Sequence, residues 1–135
     1  MGTHSLIIMR VKSKDGTYQI WAVLYQQLDG YFDGVGRILV EFLSGMIITN
    51  GIAFGEKRKT ANGPGCLFAQ IVALFKKEVG SAYLQPPVED VEEYNYYVDV
   101  TTDNKIEITL KSGDDTAFKG SPEEAENFLK NYIED

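Results

Sequence analysis

Twice in its first half the chain runs from a glycine-rich turn straight into an apolar helical stretch, and that arrangement narrows the folds open to it. The first turn is Asp29-Gly30-Tyr31-Phe32-Asp33-Gly34-Val35-Gly36, leading into Arg37 to Leu43. The second is Asn62-Gly63-Pro64-Gly65-Cys66, leading into Leu67 to Phe75. Glycine admits positive φ and close backbone approach, and the first turn of a helix leaves N–H groups without partners. Each segment is therefore a candidate anion cradle. Together they predict a ligand site between the turns, drawn from Tyr25, Asp29, Gly30, Tyr31, Gly34, Gly36, Arg37, Asn62, Gly63, Gly65 and Cys66.

The remaining elements follow from periodicity. Ser5 to Lys12 is apolar at nearly every position, and Tyr18 to Gln27 is rich in aromatic and branched residues. With Lys14-Asp15-Gly16 between them, they read as a hairpin buried on both faces. Val35, Ile38, Leu39, Phe42, Leu43 and Met46 keep the helical period until Ser44-Gly45. A second helix is expected over 66–79, stopping at Gly80. Tyr94 to Val100 and Lys105 to Leu110 alternate cleanly across Asp103-Asn104, which predicts a second hairpin with one wet face. A short strand is expected at Thr116–Phe118. Ser121-Pro122-Glu123-Glu124 is a capping box opening a last helix, with Phe128, Leu129, Tyr132 and Ile133 facing the body. The expected class is α+β over a single domain, 1–135. An antiparallel sheet of two hairpins, one helix after each glycine turn and one C-terminal helix give the order ββααβββα.

Between the two turns, residues 47–65 have no regular pattern and carry Lys57-Arg58-Lys59, which suggests a lid over the site. Charge is split along the chain. Residues 1–85 hold nine basic against six acidic side chains, and residues 86–135 hold four against fourteen, within a formal net charge of −7. That balance argues against nucleic-acid polymers, whose binding draws on many cations, and leaves room for a small anion near the basic turns. No apolar run approaches the roughly 18 residues of a membrane span, and the start lacks the pattern of a cleavable leader, so a cytoplasmic setting is expected. One cysteine, Cys66, and one histidine, His4, exclude cysteine-rich and histidine-rich metal sites. No cofactor is expected. A homo-oligomer is, from the aromatic content and the small-residue stripe Cys66, Ala69 and Ala73.

Neither turn is a nucleotide signature of a known kind. No GxxxxGK[ST] occurs, and Gly34-Val35-Gly36 lacks the third glycine and βαβ setting of a dinucleotide fingerprint. Two enzymatic alternatives stay open. Cys66 at a helix start with His4 as base would make a nucleophile pair, and Asp29 with Asp33 would make a carboxylate pair.

Met1-Gly2-Thr3-His4-Ser5-Leu6, Tyr25-Gln26-Gln27-Leu28-Asp29-Gly30-Tyr31, Gly34-Val35-Gly36, Asn50-Gly51 and Asn62-Gly63-Pro64-Gly65-Cys66-Leu67 resemble a family of small uncharacterised proteins of phages and bacteria. The family's pattern is roughly MGTRSL, then YRQxDGYPxGHGxxLxxFL, then NG, then NGMGCLAAQ. The likeness spans about residues 1–80 and leaves out the acidic tail. It implies a phage or prophage origin and an intracellular setting, and no reaction. His4, Gln26, Phe32, Val35 and Pro64 depart from the pattern, removing two basic groups and an imidazole. The resulting expectation is a binding protein that holds a phosphorylated, nucleotide-like small molecule, such as a host immune signal, without cleaving it. An interaction module using the acidic half is the alternative.

Overall fold

The computed structural model describes residues 2–51, 55 and 58–132. Strands β1 (Ser5–Lys12) and β2 (Tyr18–Gln26) form the first hairpin, with a bulge between Met9 and Arg10. Asp15 steadies its loop by accepting hydrogen bonds from the Thr17 amide and hydroxyl. The first glycine turn winds into one π-helical turn, Phe32–Gly36, before α1 (Arg37–Leu43). Two short strands, β3 (Ile47–Thr49) and β4 (Thr60–Asn62), pair in parallel apart from the main sheet. Helix α2 (Gly63–Phe75) follows, then β5 (Ala82–Gln85), β6 (Tyr94–Val100), β7 (Ile106–Ser112), β8 (Asp115–Gly120) and α3 (Pro122–Lys130).

The class is α+β, with both hairpins, a helix after each glycine turn and a C-terminal helix present. The finer arrangement differs from ββααβββα. The main sheet has six strands in the order β5-β2-β1-β6-β7-β8, and its central pair, β1 with β6, is parallel. Strands β3, β4 and β5 hold three or four residues each, too few to impose a period on the sequence. Helix α2 begins and ends earlier than 66–79. Pro64 needs no N–H partner in a first turn, and Gly80, at φ +84°, serves the turn into β5 rather than the helix end.

The three helices lie on one face of the sheet. There Ile7, Met9, Leu24, Tyr96 and Val98 meet Leu39, Leu43, Leu67, Ile71 and Leu129 in a continuous core. The opposite face was expected to be wet along β6, yet Asn95, Tyr97 and Asp99 are all buried. The connection 86–93 explains this. It leaves β5 beyond β2 and enters β6 beyond β1, so it crosses both strands as a strap. The Tyr97 hydroxyl donates to the Glu89 carboxylate at 3.3 Å, and Asn95 exchanges hydrogen bonds with the main chain of Glu92. Under the strap lie Leu6, Ile8 and Val23, all at most 1% exposed. Among the described residues no helix is long and apolar enough to cross a membrane.

Candidate functional site

The first glycine turn closes on itself at the end of the sheet where β1 begins. Gly30 donates its N–H to the Thr3 carbonyl, Gly34 and Gly36 donate to that of Tyr31, and Val35 donates to that of Asp29. These four amides thus have acceptors within the chain. Asp29 takes φ +57°, and its hydroxyl neighbour Tyr31 donates to the Asp29 carboxylate at 3.4 Å. Close packing accounts for the glycines: a Cβ on Gly30 would collide with His4 and Ser5, and one on Gly34 with the Asp29 carbonyl. Gly36 lies against the Tyr96 ring. Arg37 faces its own turn, with Nε 2.7 Å from Asp33 and a second nitrogen donating to the Leu129 carbonyl in the last turn of α3.

The second turn is open by contrast. Gly63, at φ +81°, brings the chain from β4 into α2, and no side chain caps the helix start. The Gly65 N–H precedes the first intrahelical donor, Cys66, which bonds to the Asn62 carbonyl; the Gly63 N–H continues the β3–β4 ladder, Pro64 has none, and the first turn contains no acid. Asn62 uses its side-chain oxygen to accept from the Gly51 amide at 2.7 Å. Gly65 and Cys66 are exposed, and the Cys66 thiol donates to the Gln70 side chain at 3.7 Å. Beside them stands Trp21, 46% exposed and edge-on to Phe68 at 6.0 Å. A Cβ on Gly65 would sit 3.8 Å from the indole, at ordinary contact distance.

The two turns do not converge. Gly30 rests on the first residues of β1, while Trp21 lies at the bulge opposite Met9 and Arg10. That separation is about 15 Å along the strand at about 3.3 Å per residue. Tyr25 belongs to neither group, because it projects from the strap face and packs with His4 at 5.5 Å and Tyr83 at 6.1 Å. The sequence-predicted residues therefore fall into three places: Asp29, Gly30, Tyr31, Gly34, Gly36 and Arg37 at one end, Tyr25 on the far face, and Asn62, Gly63, Gly65 and Cys66 beside Trp21.

Other expected constellations are also pulled apart. His4 sits by Tyr25 and Glu92 on the strap face, and Cys66 is on the helix face, so the sheet separates the nucleophile from its proposed base. Asp33 is engaged by Arg37 and Asp29 by Tyr31. In the expected lid, Lys57 lies outside the described residues, and the Lys59 ammonium caps α1 by donating to the carbonyls of Glu41 and Ser44. Among the described residues no three of His, Cys, Asp and Glu are grouped to hold a metal. Cys66, Ala69 and Ala73 do form an outward stripe on α2.

Sequence reasoning passed over two further features. Arg10, the lone charge in the apolar part of β1, forks onto Asp99 at 2.6 and 2.8 Å while lying between the rings of Tyr18 and Tyr97, 4.1 and 4.3 Å away. Lys12 and Lys111 extend this column over the two rings. Burial pushes the Asp99 carboxyl up, and Arg10 opposes it. Secondly, a groove of about 760 Å³ opens where β1 ends, between β3, the β6–β7 turn and the start of α3. None of the eleven expected site residues lines it. One wall, Met46 to Ile48, is more than 50 residues from the others, so only the charged residue in an apolar strand was a signal available beforehand.

Comparison with protein-family models, curated proteins and solved structures gives no match.

Proposed function

We propose that the chain binds a small phosphorylated, nucleotide-like molecule at the amino end of α2, with the anion on the Gly65 N–H at the positive end of the helix and the base against Trp21. The observation that carries this reading is an uncapped, exposed helix start, free of acids, with a flat indole beside it. The partial positive charge there favours an anion, and the π-face of tryptophan stacks any base. The first glycine turn serves as a structural corner in this reading, because its amides are already engaged. The likeness to phage and bacterial proteins fits capture of a nucleotide-derived host signal in the cytoplasm.

Trp21 is the single tryptophan, so its fluorescence reports directly on the site. Titration with cyclic dinucleotides and ADP-ribose derivatives is expected to give saturable quenching. Gly65→Asp places a carboxylate where the phosphate would sit, with room for its Cβ, and should weaken binding by about tenfold or more without lowering the melting temperature. The absence of quenching and of calorimetric heat across the panel would remove the reading. Native mass spectrometry of the purified protein gives the bound mass and the subunit count together, which also tests the proposed homo-oligomer.

A further inference from the structure

We propose that the groove along β3 docks an extended, lysine- or arginine-bearing peptide segment of a partner protein. Two independent features point there. The first is charge on an apolar bed. Ile48, Ile106 and Pro122 are buried side chains that reach the groove, with Met46 partly buried beside them. Around them stand Asp103, Glu107, Glu123 and Glu124 against one cation, Lys105. Glu123 accepts from the Gly45 amide at 2.6 Å, and Glu107 is 3.7 Å from Lys119. Hydrogen bonds from Thr101 and from Ser121 hold Asp103 and Glu124 below the ordinary carboxylate range, so both are anionic at neutral pH.

The second feature is a strand edge that has no neighbouring strand among the described residues. In the β3–β4 ladder the Ile47 amide donates to the Lys59 carbonyl at 2.9 Å. Parallel pairing alternates sides, so the N–H and C=O of Ile48 point away from β4. Met46, Ile47 and Ile48 line the groove, and no residue of β4 does. An extended peptide laid there gains main-chain hydrogen bonds from Ile48, and alternate side chains reach the apolar floor and the acidic rim. A second copy of this chain is a poor occupant, because its formal charge is −7. A basic segment complements the rim, and its long apolar stems cover Ile106 and Pro122 while the charged ends meet the carboxylates.

The test uses the full chain and a fluorescein-labelled peptide of alternating lysine and valine, read by fluorescence polarisation. Saturable binding is expected, weakened about tenfold or more when salt rises from about 50 to about 500 mM. The double variant Asp103→Asn, Glu107→Gln should weaken it by about fivefold or more while circular dichroism keeps the native spectrum. A peptide N-methylated at every residue has no N–H on either edge to add to a strand and should lose binding. Absence of binding by the lysine–valine peptide overturns the proposal. So does equal binding of a glutamate–valine peptide or retained affinity of the N-methylated peptide. Gly65→Asp should leave peptide binding unchanged, which separates this groove from the site at Trp21.

Discussion

Arg10 is held by a carboxylate and two rings at once, and Asp99 is 0% exposed, so the carboxylate has no water to fall back on. Arg10→Met should cost about 3–5 kcal/mol in chemical denaturation, because it strands a buried carboxylate. Replacing both partners by apolar residues should recover much of that loss. The pH dependence has a definite sign. Burial and the facing Glu107 push Asp99 up, while Arg10 and Lys119 pull it down. Without Arg10 the folded-state value climbs further above the unfolded one. The contribution of Asp99 to the variant's stability is then fully present below 3.8 and lost as pH rises through that raised value, so the gap from the parent widens above the parent's own folded value, which itself lies above 3.8. Tyr96 is a second buried anchor, its hydroxyl donating to the Gly30 carbonyl at 2.5 Å. Tyr96→Phe leaves that buried oxygen short of a donor and should cost about 1–3 kcal/mol. Neither partner pair was legible beforehand, since 89 and 66 residues separate the members.

Elements whose signals are local came through well, and α3 is the clearest. Ser121 accepts from the Glu124 amide at 3.1 Å, and Glu124 accepts from the Ser121 amide at 3.0 Å, the reciprocal pair that the motif implies. Ser121→Ala should lower stability by about 1 kcal/mol at neutral pH. These bonds hold the Glu124 carboxyl below its ordinary value, so their contribution is present above that value and fades as pH falls through the folded one. Thermal melts of the parent and of Glu124→Ala, which lacks the titrating carboxyl, should therefore converge under acid. Of the two glycine turns, identical reasoning predicted two cradles, and they turned out differently. The first spends its amides on Thr3, Tyr31 and Asp29, whereas the second stays uncapped next to Trp21. What separates them is the presence of nearby carbonyls, which glycine spacing does not report.

At the scale of the molecule, the strap 86–93 lets a sheet with helices on one side bury both faces of its central strands. Replacing it with eight glycine and serine residues should expose Leu6, Ile8 and Val23, seen as binding of an apolar dye and a lowered melting temperature. The sequence carried the composition of this segment, Pro86-Pro87 and a run of acids, but gave no sign of where it would lie. The parallel pairing of β1 with β6 is of the same kind: both strands were visible, and their neighbourhood was not. By itself the sequence determined what near neighbours along the chain decide: two hairpins, a helix after each glycine turn, a capped last helix, and an acidic second half. Those depend on period, turn residues and caps, all set within a few positions. Only the tertiary structure decided that the glycine turns stand apart, that Arg10 meets Asp99, and that an acid-rimmed groove forms beside β3. Each of these rests on which distant segments share a surface, and that is settled by burial of the whole core at once.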